Sequence, residues 1–517
     1  MTLQLLLKQI ELRWRDRVCV VDGDLTLTYG ETLDLARGVA SLARHLTGKE
    51  RPHVAALLGN RWEYVTIDLG CALSGETLVR LNARDTPRDI AYLLEDSHAD
   101  CVIYSQDFAG VAGEALALSA NKPRVIELPA GAAAARRPGF EAKIAAAPMV
   151  DFPLLRPADP YKIMYTSGTT GMPKGVIVTH EQWMCAVVKN LFTGPLLDLD
   201  EASSILHVTP LTHISGGLMW PFMVRGGGQI ISRDVSVEAI CEAIEAHGVT
   251  HTFLVPTLVT RLLAANADQQ KSLRKLKRIY YAGSPIGAQS LKTALEMFGS
   301  ILAQGYGSTE AMWWLTYMSP DEHRAALESG NLQRLSSCGR PSFAVDLDVV
   351  DDDGRPVAAG ELGEVVTRGQ HVARAYINKG AVPRDEAIGP DWFRIGDIGY
   401  RDEDGYVYLV DRKNSLIITG GFNVYPGEVE GVLASCPGIA ECCVVGVPDE
   451  QWGEIITAVV VRTAACDVTQ QHVLDHARAN LADYRRPKRV HFVDELPQNS
   501  AGKIDRRAVK ASVTALG

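Results

Sequence analysis

Between Tyr165 and Val176 the chain reads Tyr-Thr-Ser-Gly-Thr-Thr-Gly-Met-Pro-Lys-Gly-Val, and no other stretch constrains the fold as much. Ile163-Met164-Tyr165 leads in and Val176-Ile177-Val178 leads out, so the pattern is strand, loop, strand. Three glycines let backbone N–H groups approach a ligand closely, four hydroxyls add donors, and Lys174 adds a point charge. Such a loop suits a polyphosphate. A Walker A loop would place Ser or Thr directly after its lysine and then a helix, whereas Gly175 and a β-branched run follow here. The same context excludes a Rossmann turn. A solvated Gly/Ser/Thr linker is the bland alternative, but linkers seldom sit between two apolar strand signals.

Around this loop, apolar runs alternate with helical patterns: Val54 to Leu58, the Trp62 to Cys71 segment, Cys101 to Tyr104, then Ser204 to Val208, Thr252 to Val255 and Lys277 to Tyr281. Alternation of this kind predicts parallel sheets covered by helices, an α/β fold. The alanine-rich Gly131 to Pro148 reads as a surface loop or short helix. From Asp346 the pattern changes to short strands separated by Asp351-Asp352-Asp353-Gly354, Ala359-Gly360 and Asp402-Glu403-Asp404-Gly405, which predicts a small, mostly antiparallel subdomain over 345–411. Arg412-Lys413-Asn414-Ser415 makes a charged break. Beyond it, helical patterns at Tyr425 to Ala434 and Thr469 to Leu481 lie among strands. The expected division is therefore an N-terminal domain at 1–411 and an α+β lid at 412–517.

With 517 residues the chain has ample length for a large core. Its net charge of -10 argues against nucleic acid as a partner, though a local basic pocket stays compatible with it. The 10 cysteines include no Cys-x-x-Cys pair. Several lie in apolar runs, which favours buried thiols in a reducing compartment over disulfides or zinc. Cys442 and Cys443 make a poor redox pair, since adjacent strand residues face opposite sides. No signal peptide, membrane span or peroxisomal address is read, so a cytoplasmic protein is expected.

Four further motifs carry chemistry. Gln304-Gly305-Tyr306-Gly307-Ser308-Thr309-Glu310 follows an apolar Ile301-Leu302; its glycines let backbone meet a planar ligand on which Tyr306 stacks, Thr309 donates to a phosphate, and Glu310 is an oxygen ligand of the kind Mg²⁺ takes. A tight turn with a solvated glutamate is the alternative. Trp392-Phe393-Arg394-Ile395-Gly396-Asp397 reads as a strand ending in an acid that could accept from two ribose hydroxyls, against a plain turn aspartate. Gly420-Gly421-Phe422 opens a turn before a helix starting near Pro426. Lys503, in Asn499-Ser500-Ala501-Gly502-Lys503-Ile504, lies fourteen residues from the end, where lysines are ordinarily solvated.

In this order the motifs, from Tyr165 to Ile504, resemble those of the AMP-forming adenylate ligases: acyl- and aryl-CoA synthetases, stand-alone adenylation domains and luciferases. The resemblance implies a large N-terminal domain of parallel sheets with a mobile C-terminal lid, and it assigns roles. Thr166, Ser167, Gly168, Thr169, Thr170, Gly171 and Lys174 would hold the ATP phosphates, with Gly283-Ser284-Pro285 and Gly305 to Thr309 around the nucleotide. Asp397 would bind ribose and Arg412 the ribose or phosphates. Glu310 and Thr166 would serve Mg²⁺. Lys503 would be the catalytic lysine, bridging the attacking carboxylate and the α-phosphate. Thr209 to Gly217 resembles the acyl-pocket segment, so His213, Ile214 and Gly216, with Gly283, Gly307, Met312 and Trp313, would bind the acid; a structural histidine is the alternative for His213. Gly420, Gly421 and Phe422 would pass the pantetheine arm of CoA, and Asn414 would sit at the hinge.

Two departures from the family pattern stand out: Ile395 where most relatives carry Thr, and Asn414 where they carry Lys or Asp. The segment 209–217 lacks the aspartate that pairs with an amino-acid ammonium, which points away from α-amino acids. Trp313-Trp314 would close the pocket floor and favour a compact or aromatic acid, unless both are core residues. The expected activity is ATP-dependent formation of acyl-AMP and pyrophosphate, then transfer to CoA. Alternatives are transfer to a carrier-protein thiol or a non-thiol nucleophile, and, from another class, a non-catalytic nucleotide-binding module. The expected partners are a small carboxylic acid and the thiol, with the protein a monomer or homodimer.

Overall fold

The computed structural model describes residues 1–131, 138–166, 172–192, 196–383, 388–389, 391–463, 468–499 and 503–514. The chain forms two compact units: Met1–Asp346 with Thr367–Arg384, and Leu347–Val366 with Asp385–Gly517. Packing thus groups the small antiparallel sheet with the C-terminal residues, a different grouping from 1–411 and 412–517.

The first unit is built on two mixed sheets. One runs, among the described residues, in the order Arg340–Pro341, Thr316–Met318, Leu302–Tyr306, Arg278–Tyr281, His251–Leu254, Ser204–His207, Gly228–Ile231, Val18–Asp22, Leu25–Thr28. From Leu302–Tyr306 to Val18–Asp22 the strands are parallel, and antiparallel strands close both edges. The parallel strands are short apolar runs buried on both faces, as helices covering both sides require. The other sheet runs Gly380–Ala381, Ala375–Tyr376, Lys174–Thr179, Pro160–Thr166, Thr77–Arg80, His53–Leu57, Cys101–Ser105, Arg124–Leu128. Here Pro160–Thr166 is parallel to Thr77–Arg80 and antiparallel to Lys174–Thr179. The Trp62–Ser74 helix is buried at every residue. The Tyr29–Thr47 helix starts in a capping box, Thr28 with Glu31, and stops at Gly48 with φ 67°. Within the alanine-rich stretch Pro138–Ala146 is helical, and Phe140 packs on Trp62.

In the second unit Phe393–Arg401 pairs antiparallel with Val407–Arg412 around the Asp402 to Gly405 turn, in a sheet with Asp346–Val350 and Gly363–Arg368. A second sheet orders Phe422–Val424, Ile417–Thr419, Gly453–Arg462 and Ile439–Asp449, with Arg489–Val493 parallel to Gly453–Arg462. The anticipated helices are Pro426–Leu433 and Gln470–Asn480, and a further helix, Arg506–Thr514, follows Lys503. Cys442 and Cys443 face different apolar clusters across their strand, and burial pushes both thiols up to about 12. Among the described residues no helix is long and apolar enough to cross a membrane.

Candidate functional site

In the first unit the hydroxyl-rich loop is anchored at both ends. Thr166 ends one strand and Lys174 opens the next, directly opposite in the pairing. Ser167, Gly168, Thr169, Thr170 and Gly171, expected to bind phosphate, lie outside the described residues. Glu310 sits at the Thr166 end: its Oε1 is 3.5 Å from Thr166 Oγ1 and 3.4 Å from the Tyr376 hydroxyl. Lys174 Nζ stands 5.6 Å from the centre of the Tyr376 ring. Ala373 N donates to the Glu310 carbonyl, so side chain and backbone of Glu310 are both fixed by the same edge segment. Burial, then the Glu310 charge, raises the Tyr376 hydroxyl above the ordinary tyrosine range. Behind the loop, Tyr92 donates to the Pro173 carbonyl at 3.0 Å and Tyr165 to Asp96 at 2.9 Å.

Sequence reasoning did not find Tyr376. Its strand, Ala375–Tyr376, is two residues long, and only pairing with Val176 brings it to Glu310.

Three of the expected segments follow the carboxyl ends of parallel strands in one sheet. Thr209 to Gly217 follows Ser204–His207, Gly283-Ser284-Pro285 follows Arg278–Tyr281, and Gly307 to Trp313 follows Leu302–Tyr306. Ligands of open α/β sheets bind at that edge. Close packing ties two of these segments together. A Cβ on Gly217 would fall 1.8 Å from the Trp313 ring, and one on Gly307 2.4 Å from the Trp313 carbonyl oxygen. Trp313 also meets Trp183 edge-on, with ring centres 4.5 Å apart. Trp314 behaves as a core residue, packed between Tyr280 and Tyr317. His213 and Ile214 are partly exposed at the start of the Ile214–Val224 helix, whereas Gly216 is buried. Thr212 Oγ1 lies 3.1 Å from His213 Nδ1. The same helix is fixed from below: His207, buried, meets Ser215 through Nδ1 at 2.7 Å and Gln229 through Nε2 at 3.0 Å. Burial pulls His207 down to about 4, so it is neutral.

In the second unit Asp397 does not end its strand. It lies within Phe393–Arg401, opposite Arg412, and a β-bulge follows at Ile398/Gly399. Gly396 and the aspartate read as a strand end because a glycine at φ 85° breaks the alternation, yet the antiparallel partner carries the strand on. Asp397 is buried and Arg412 Nε is 2.8 Å from it. Ile395 is buried. Lys413 is held by Asp352 at 3.0 Å and Glu364 at 3.1 Å, and Asn414 lies in the short helical turn Lys413–Ser415. Gly420 and Gly421, at φ 56° and 83°, make the two-residue hairpin between Ile417–Thr419 and Phe422–Val424, a turn with both central residues left-handed. Half-exposed Phe422 stacks on Tyr484 at 4.7 Å. Lys503 donates from its backbone N to Asn499 Oδ1 and accepts from Asn499 N through its carbonyl, and the residue as a whole is exposed. Its ammonium is nonetheless shifted below the ordinary lysine value, by lost hydration first and the Arg412 charge second, with Asp397 opposing.

Among the described residues no group of three or more His, Cys, Asp or Glu is placed to hold a metal. Mg²⁺ needs no such group: one carboxylate with phosphate oxygens and waters suffices, and Glu310 beside the Thr166 hydroxyl fits that donor set.

Residues 7–377 match the family model of AMP-binding enzymes, and 428–503 that of the AMP-binding enzyme C-terminal domain. The chain is 34% identical over 497 residues to a feruloyl-CoA synthase of Amycolatopsis, covering 94% of each protein. It is 35% identical over 360 residues to a medium/long-chain-fatty-acid–CoA ligase of Mycobacterium tuberculosis, covering 68% of this chain and 60% of that protein. The o-succinylbenzoate CoA synthetase of Bacillus subtilis, solved with its acyl-adenylate intermediate, superposes with a TM-score of 0.83 at 27% identity, over 98% of this chain and 97% of that one.

Proposed function

The chain belongs to the AMP-binding enzyme family, the AMP-forming adenylate ligases, and on that premise we propose that it activates a small carboxylic acid with ATP and transfers the acyl group to CoA. The observation that carries this reading is the convergence of Thr166, Glu310 and Tyr376 at the anchored end of the hydroxyl-rich loop. In the first step a carboxylate oxygen attacks the α-phosphorus, a P–O bond forms, and the bond to pyrophosphate breaks. Positioning and charge neutralisation dominate such a displacement. Thr166, Lys174 and the loop residues 167–171 hold the phosphates, and Lys503 steadies charge building between the carboxylate and the α-phosphate. Glu310 and Thr166 would hold Mg²⁺, which when bound neutralises phosphate charge.

Tyr306 stacks against adenine, Gly305, Ser308, Thr309 and Gly283-Ser284-Pro285 frame the nucleotide, and Asp397 with Arg412 takes the ribose. His213, Ile214, Gly216, Gly283, Gly307, Met312 and Trp313 surround the acid. The Trp313 ring, seated on Gly217, favours a compact or aromatic acyl group. In the second step the CoA sulfur attacks the acyl carbon, losing its proton to solvent, and AMP leaves. Gly420, Gly421 and Phe422 guide the pantetheine arm, with a lid at 412–517 turning near Asn414 between the two steps. Buried, unbridged thiols such as Cys19, Cys71 and Cys101 fit a reducing cytoplasm.

The test is pyrophosphate release over a panel of acids, with and without CoA. The reading requires acid-dependent release and CoA-dependent AMP formation. Release with no effect of CoA, but with consumption of an amine or a carrier-protein thiol, would reassign the acceptor; no release with any acid would sink the reading.

A further inference from the structure

Met312 and Trp313 are consecutive non-glycine residues in the left-handed region, at φ 48° and 59°. L-residues rarely take that conformation singly, and two in a row need support from their surroundings. Backbone bonds give only part of it: Met312 N reaches Thr309 O at 3.4 Å and Trp313 N reaches Ser308 O at 3.2 Å. The rest comes from a lysine. Lys189, on the His180–Phe192 helix and 2% exposed, donates through Nζ to the Met312 carbonyl at 3.1 Å and lies 3.5 Å from that of Trp313.

The same Trp313 carbonyl presses on Gly307, and the Trp313 ring covers Gly217. The ring also meets Trp183, whose face takes the buried Lys162 ammonium at 4.1 Å, itself paired with Asp68 at 2.6 Å. Trp313 therefore has little freedom except through its own backbone, and Lys189 grips that backbone. Burial, opposed by Cys185, lowers Lys189 to about 8, so it remains mostly a cation at neutral pH and its bonds to the carbonyls are charge-assisted.

We infer that Lys189 is a positioning residue that sets the dimensions of the acid pocket by holding the Met312–Trp313 turn in its left-handed form. The inference rests on the reading above that Trp313 bounds the acid. Lys189 acts on the substrate only through Met312 and Trp313. Without the ammonium the turn relaxes toward ordinary φ, the ring leaves Gly217, and the pocket admits acids of a different size.

The experiment is Lys189→Met, assayed by pyrophosphate release over acids graded in length and width. The expected result is an acid KM raised about tenfold or more and a changed ranking of acids. The KM for ATP should change several-fold less than the acid KM, because Ser308 and Thr309 meet the turn only through their backbone carbonyls. A double cycle with Trp313→Phe should be non-additive in acid KM, since both variants act on one element. Unchanged acid KM and ranking, equal losses for acid and ATP, or additive effects would each overturn the inference. Should Lys189→Met fail to fold, Lys189→Gln, which keeps one donor, is read by the same criteria. A wild-type chain that adenylates no acid would sink the parent reading instead, which keeps the two failures apart.

Discussion

In the first unit Glu310 is reached from two strands of the adjoining sheet and fixed through its own carbonyl, whereas in the second Asp397 is met across a single strand pair by an arginine that is 51% exposed. The first arrangement joins two sheets of the first unit, whereas in the second Asp397 and Arg412 face each other in the outer strand pair of the small antiparallel sheet, with a bulge beside Asp397. Asp397 is buried while Arg412 is half exposed, so a departing Arg412 leaves a buried carboxylate that needs another donor. The contrast teaches that Glu310 is held from several segments of its unit, whereas Asp397 meets an arginine that is itself half in solvent.

Acid separates the two units first. His180, His207 and His323 are buried with values lowered to about 4, and His251 to about 3, chiefly by burial, and all four lie in the first unit. A lowered value means the folded state binds fewer protons, so stability is full above the unfolded value near 6.5 and drains as pH falls toward 4. At pH 5 the loss is about 2 kcal/mol per histidine. His472, His476 and His491 of the second unit are not buried. Hydrogen exchange at pH 7 and pH 5 should show the first unit's strands losing protection first; simultaneous loss would erase the contrast.

Lys503→Ala should lower pyrophosphate release by roughly 10² or more, the scale of one lost preorganised donor. Unchanged release would remove Lys503 from the chemistry. Asp397→Ala should raise the KM for ATP about tenfold while the ranking of acids stays intact. A changed ranking at normal ATP affinity would move Asp397 to the acid. Asn414→Pro removes a backbone donor and fixes φ, so acyl-AMP formation should stay near normal while supplied acyl-AMP and CoA react several-fold more slowly. Equal effects on both half-reactions would put the pivot elsewhere. The smallest effect belongs to Tyr376→Phe: about threefold slower adenylation and a higher Mg²⁺ midpoint, since one long, 3.4 Å hydrogen bond to the Glu310 carboxylate is lost.

The alternation of apolar runs with helical patterns made the parallel strands of the first unit legible, because buried strands must be apolar on both faces. The strands that end at Thr166 and open at Lys174 were legible for the same reason. Asp397 was misplaced at a strand end because local glycine signals are blind to the antiparallel partner that continues the strand. Tyr376, Lys189 and Gly217 left no local signal. Their importance comes from contacts 66, 123 and 96 residues away along the chain, to Glu310, Met312 and Trp313. Helix Arg506–Thr514 was missed because its buried face is only Val509 and Val513.

The contact between Gly217 and the Trp313 ring bears on how such a chain can change over generations. With 1.8 Å between a hypothetical Cβ and the ring, no side chain enters at 217 while the tryptophan stays where it is. A smaller residue at 313 alone leaves a hole beside Trp183. Each single step is a loss, and only the paired exchange reaches a new packing. Positions 217 and 313 would therefore change together or not at all, and libraries that randomise one position at a time would find almost nothing there.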